Sequence, residues 1–101
     1  MTMLLLIFRR SLDHDLHQLL DQLDAKAFTE APKILGMGEA GATFNSFDWP
    51  GHNSMIIAAL EDEQADKVVK RLREFRDDLA RRQKGAKIPM RVFAHPCTRL
   101  I

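Results

Sequence analysis

Gly36, Gly38 and Gly41 open a stretch, 36–54, that is rich in Gly, Asn, Ser and Asp and also carries Pro50. Closely spaced glycines let backbone amides converge on an anion. Lys33, Lys87 and Arg99 would add positive charge if the fold gathers them, making a pocket of the phosphate or nucleotide type. Spaced glycines in a loop are more often turn formers, because turns recruit residues that tolerate positive φ. Phe44, Phe47 and Trp49 lie in the same stretch, either packed around a Trp49-Pro50-Gly51 turn or serving as anchors for a partner protein. A connection longer than about a dozen residues is uncommon inside a compact domain and is often functional.

Metal ligation is the second chemistry the residue types allow. Asp13, His14 and His17 fall near an expected helix start, with His14 and His17 three apart on one face. His95 and Cys97 are two apart on an extended tail. Imidazole and thiolate both suit a transition metal. No paired Cys-x-x-Cys backs them, so solvated helix histidines and a small buried cysteine account for the same residues. Catalysis has the least support: the chain has no Ser-His-Asp order, no nucleophile elbow and no helical His-Glu-x-x-His. Glu61, Asp62 and Glu63 at a helix start are explained by the helix dipole. Arg71, Arg73, Arg76, Arg81 and Arg82 are interleaved with Glu74, Asp77 and Asp78, which predicts ion pairing on a solvated face rather than a nucleic-acid surface. A binding protein is expected, not an enzyme.

The bulk properties agree. The chain has 101 residues, 46% of them apolar and 29% charged, with a net charge of +1. That length allows one domain, 1–101, and the charge selects neither nucleic acid nor an anionic membrane. One cysteine cannot form an internal disulfide. Arg9 and Arg10 follow the first apolar run instead of preceding it, the wrong order for a secretory signal, and no stretch approaches membrane-spanning length. A soluble, cytoplasmic protein is expected.

The elements that must hold these residues are legible from periodicity. Residues 3–8 form an apolar run of strand length. Leu12, Leu16, Leu19, Leu20 and Leu23 mark one helical face, with Ser11 or Asp13 as expected cap. Residues 27–35 read as a strand interrupted by Pro32, and 55–60 as a second apolar strand. Ala65, Val68, Val69, Leu72, Phe75 and Leu79 stripe a helix that begins at Asp62 or Glu63 and stops near Gly85. Residues 88–94 read as the last strand. The order βαββαβ predicts an α+β, ferredoxin-like domain: one antiparallel sheet in the order 4-1-3-2 with both helices on one face. Pro32 and Pro89 fall in the second and fourth strands, the two edges of that sheet, where proline is tolerated.

The two central strands are apolar at odd and even positions alike, yet two helices cover only one face. An antiparallel sheet with one wet face should alternate. Burying roughly 500 Å² more of apolar surface per chain would contribute on the order of 10 kcal/mol before association costs. Further copies of the same sheet are the expected cover; the alternative is that 36–54 folds back over the face.

The run Thr29-Glu30-Ala31-Pro32-Lys33-Ile34-Leu35-Gly36-Met37-Gly38-Glu39, then Trp49-Pro50-Gly51-His52-Asn53-Ser54, then Glu61-Asp62-Glu63-Gln64-Ala65-Asp66 resembles the PII-like signalling proteins. The likeness covers nearly the whole chain in element order and is sharpest between residues 29 and 66. It implies a ferredoxin-like homotrimer whose sheets face inward, and a small ligand in the clefts between subunits. The candidate ligand-binding residues for such a cleft on this chain are Lys33, Gly36, Gly38, Glu39, Gly41, Gly85, Lys87 and Arg99. The ligand stays open between an adenine nucleotide and another anion, and 36–54 would signal to a target such as a transporter or an enzyme. The sequence departs from the classical pattern in having no tyrosine to uridylylate, only Lys84-Gly85-Ala86-Lys87 before the last strand, and only Arg99 after it. The related CutA type is associated with divalent-ion tolerance, which leaves a metal-binding protein as the alternative; the candidate ligands on this chain are then His14, His17, His95 and Cys97.

Overall fold

The first apolar run does become the centre of a sheet. The computed structural model describes residues 1–34, 36–38, 41–43, 53–84 and 88–101. β1 spans Thr2–Arg9, and a single 3-10 turn, Arg10–Leu12, leads into α1, Asp13–Gln22. β2 is Thr29–Ile34, followed by two three-residue strands, β3 (Gly36–Gly38) and β4 (Gly41–Thr43). β5 (Asn53–Leu60), α2 (Asp62–Arg82) and β6 (Met90–Pro96) complete the order. The main sheet runs β2-β5-β1-β6, all antiparallel, and β3 pairs with β4 in a separate hairpin. Setting the hairpin aside, this is the expected 4-1-3-2 sheet, read from its other edge.

The edges are where the prolines predicted them. Pro32 lies in edge strand β2, and Pro89 immediately precedes edge strand β6, where its carbonyl accepts the N–H of Arg9 at 2.9 Å. The β2 pairing shifts between Ala31 and Ile34: Ala31 faces Met55 but Ile34 faces Asn53. Three steps on β2 match two on β5, so the strand bulges where Pro32 brings no N–H to the ladder. Ser54, 1% exposed, donates its hydroxyl to the Pro32 carbonyl at 3.0 Å and fixes that bulge.

Even positions of the central strands carry the core. Leu4, Leu6, Phe8, Ile56, Ala58 and Leu60 are buried together with Leu12, Leu16, Leu19 and Leu20 from the first helical segment. Ala65, Val68, Leu72, Phe75 and Leu79 join them from α2, the stripe its periodicity predicted, with Val69 packed at the margin. The odd positions are different. Met3, Leu5, Ile7, Met55 and Ile57 are only half-buried, Ala59 is exposed, and Phe93 beside Leu5 is 51% exposed.

Several boundaries differ from expectation. Neither Ser11 nor Asp13 caps α1; its N-cap is Leu12, with no side-chain hydrogen bond, because a 3-10 turn feeds the helix directly. At the other end Asp24 adopts φ 58° and Ala25 N–H returns to Leu20 O at 2.9 Å, closing the helix without glycine. α2 stops at Arg82 and Lys84 takes the left-handed position at φ 50°; Gly85 lies outside the described residues. β5 begins at Asn53 rather than 55, and the last strand is 90–96 rather than 88–94, since Pro96 still pairs with Thr2. Residues 36–54 include the small β3–β4 hairpin; Phe44, Phe47, Trp49, Pro50 and Gly51 lie outside the described residues.

Candidate functional site

Strand register determines which candidate residues meet. Ile34 pairs with Asn53, Asn53 with Arg9, and Phe8 with Met90, so four strands end in one row. At this end the chain leaves β2 for the β3–β4 hairpin, returns into β5, and enters β6 from α2. Lys33 is exposed on the bulged part of β2, next to the hairpin. Gly36, Gly38 and Gly41 lie in that hairpin, Gly36 opposite Thr43 and Gly38 opposite Gly41. Glu39, Gly85 and Lys87 lie outside the described residues.

Arg99 belongs to the opposite end. Thr2 pairs with both Leu60 and Pro96, and Arg99 lies three residues past Pro96 on the other edge of the sheet. It is exposed and donates from Nε to the carbonyl of Ile101 at 2.8 Å. Within one chain, therefore, Lys33 and Arg99 are separated by the length and the width of the sheet.

The four metal-ligand candidates are not brought together either. His14 is an exposed α1 residue, while His95 and Cys97 sit at the Thr2 end, where Cys97 N–H donates to Met1 O at 3.1 Å. His17 has other company. Its Nε2 lies 2.8 Å from Glu30 Oε1 and 3.4 Å from Asp13 Oδ1, and its ring stands edge-on to Phe28 at 5.3 Å between centroids. Asp13 and His17 are an i,i+4 pair on one helix, whereas Glu30 comes from the next strand and carries no local signal. A further polar cluster tethers the chain's first residues: the Met1 ammonium lies 3.1 Å from Asp62 Oδ1, and the Thr2 hydroxyl donates to the same oxygen at 2.7 Å. The Thr2 hydrogen bond, then the ammonium, hold the Asp62 carboxyl below its ordinary pKa. The hydrogen bond to Asp62 raises the Met1 amine in turn.

On α2, Asp77 pairs with Arg76 and Asp78 with Arg81, as the interleaved charges predicted. These exposed pairs contribute little. A shallow groove of about 290 Å³ separates α2 from edge strand β6; Val69, Leu72, Met90 and Val92 line it, together with Arg73 and Arg76.

The family model of nitrogen regulatory protein P-II matches residues 1–93. Among solved structures, the chain is similar to CPII, a nitrogen regulatory PII-like protein from Thiomonas intermedia K12 bound to ADP, AMP and bicarbonate. There the TM-score is 0.71 at 22% identity, over 93% of this chain and 82% of that one. The apo form of CPII matches with a TM-score of 0.65 at 20% identity, over 93% of this chain and 85% of that one. A PII-like signalling protein from Thermus thermophilus matches with a TM-score of 0.63 at 19% identity, over 93% and 83% of the two chains. No curated protein sequence matches the chain.

Proposed function

This chain belongs to the nitrogen regulatory protein P-II family, and from that premise we propose that it is a non-enzymatic cytoplasmic regulator that senses a small ligand as a homotrimer. The ligand, an adenine nucleotide or another anion, occupies the clefts between subunits. The 36–54 segment passes the state of the cleft to a partner protein, a transporter or an enzyme. Neither nucleic acid nor membrane insertion enters this reading; no described helix is long and apolar enough to cross a membrane.

One observation carries the proposal. Lys33, the β3–β4 hairpin and the entry into β6 share one end of the sheet, while Arg99 lies at the other end and other edge. A site that uses both cationic residues is incomplete in one chain and needs the edge of a neighbour. The half-buried apolar face supplies a reason for the copies to associate. The bound ADP, AMP and bicarbonate of CPII, which shares the fold, support an adenine nucleotide as first choice.

Isothermal titration calorimetry with ADP, AMP and bicarbonate, singly and in pairs, tests the ligand. Saturable binding of a nucleotide at micromolar concentration is expected, lost in Gly38→Trp while the assembly mass stays unchanged. Absence of heat with every nucleotide and with bicarbonate would overturn the proposed ligand class. Binding retained in full by Gly38→Trp would move the site away from the hairpin.

A further inference from the structure

We propose that Asp13, His17 and Glu30 form a binding site for a divalent first-row transition ion at the seam between α1 and β2. Their ligating atoms all lie within 4.8 Å of one another, the one such group of His, Cys, Asp and Glu among the described residues. Two elements build it: Asp13 and His17 are one turn apart on α1, and Glu30 comes from β2. The set combines one imidazole with two carboxylates, a mixture that suits zinc and its neighbours and selects against magnesium and calcium, which prefer oxygen alone.

The hydrogen bonding favours an ion over a purely structural cluster. His17 Nε2 faces both carboxylates, but in the neutral ring it carries a single proton. That proton serves Glu30, at 2.8 Å. Asp13 Oδ1 is buried and accepts no hydrogen bond among the described residues. A buried carboxylate oxygen without a donor is unfavourable, and a cation between it and Nε2 removes the deficit. Phe28 holds the imidazole edge-on, limiting its rotation.

The spacing of the pair on α1 also suits an ion. Ligands about 2.0–2.2 Å from a tetrahedral zinc lie about 3.3–3.6 Å apart. Asp13 Oδ1 and His17 Nε2 are at 3.4 Å already. Glu30 must withdraw by about half an ångström from its 2.8 Å hydrogen bond as the proton moves to Nδ1 and the Nε2 lone pair turns to the metal. Three protein ligands leave a fourth position for water or an exogenous donor. The site is independent of the nucleotide cleft: Glu30 lies on the helix-covered side of the sheet, next to Ile56, and every ligand comes from one chain.

Titration of the full chain with zinc in competition with a chromophoric chelator, and cobalt absorption spectroscopy, tests the site. One ion per chain is expected, with a cobalt spectrum lacking a thiolate charge-transfer band. His17→Gln and Glu30→Gln should each weaken binding by roughly tenfold or more. His14→Gln and the pair His95→Gln/Cys97→Ser should leave it unchanged. Circular dichroism checks that each variant is folded; Asp13→Asn, with a partly exposed side chain, replaces any that is not. Absence of saturable uptake by the folded wild-type chain would overturn the proposal. So would uptake that His17→Gln and Glu30→Gln leave intact, or that His95→Gln/Cys97→Ser abolishes.

Discussion

The two faces of the central sheet are made of the same kinds of residue on the same strands, yet they end in different states. On β1, Leu4, Leu6 and Phe8 are fully buried, while their neighbours Met3, Leu5 and Ile7 are half-buried. β5 repeats the contrast, with Ile56, Ala58 and Leu60 buried and Met55, Ile57 and Ala59 left in partial contact with solvent. The first set has its cover inside the chain, from α1 and α2. The second set has equal apolar character and no helix to lie beneath. One face therefore supplies the core of the chain, and under the proposed assembly the other supplies the contact between copies.

Substitutions on the two faces should separate these roles. Leu6→Ala on the covered face should cost about 2–5 kcal/mol, read as a lower midpoint in urea, because the rigid core closes only partly around the missing atoms. Ile57→Asp on the open face should leave an isolated chain folded but abolish self-association, read by sedimentation velocity. If Ile57→Asp unfolds the chain as thoroughly as Leu6→Ala does, the distinction between the faces is lost.

Smaller effects sharpen the contrast where the covered face meets the hairpin end of the sheet. Ser54→Ala strands the Pro32 carbonyl and should lower stability by about 1–3 kcal/mol, with the amide-exchange change concentrated in β2 and the β3–β4 hairpin. The smallest effect should come from Asp62→Asn, at a fully exposed cluster. Asp62 titrates below its ordinary 3.8 in the folded chain, so its contribution is present above that value and fades as pH falls through the lowered pKa. The Met1 amine titrates above its ordinary 8.0, so its contribution is complete below 8.0 and fades as pH rises through the raised pKa. The difference in melting temperature between wild type and Asp62→Asn should thus be greatest between these limits and shrink outside them.

Much of this division was legible in the sequence. Apolar residues at odd and even positions of 3–8 and 55–60 announce two greasy faces. Pro32 and Pro89 identify the edge strands, because a residue without an N–H is least disruptive there. The helix stripes come through because 3.6-residue periodicity is a local signal. The register shift between Ala31 and Ile34 does not, since it depends on Ser54, over twenty residues away, reaching the Pro32 carbonyl. Nor do β3 and β4: Gly36-Met37-Gly38 and Gly41-Ala42-Thr43 are too short and too glycine-rich to alternate. The candidate site divides the same way. Lys33 and the glycines are visible as neighbours in sequence, whereas the separation of Arg99 from Lys33 follows from topology. His17 stands out as a ligand type, but its partner Glu30 is a product of packing.

The most direct test of the account is the mass of the wild-type particle by sedimentation equilibrium at micromolar concentration. The proposed homotrimer predicts a particle of three times 11.6 kDa. A stable particle of 11.6 kDa would contradict it, and with it the proposal of clefts between subunits.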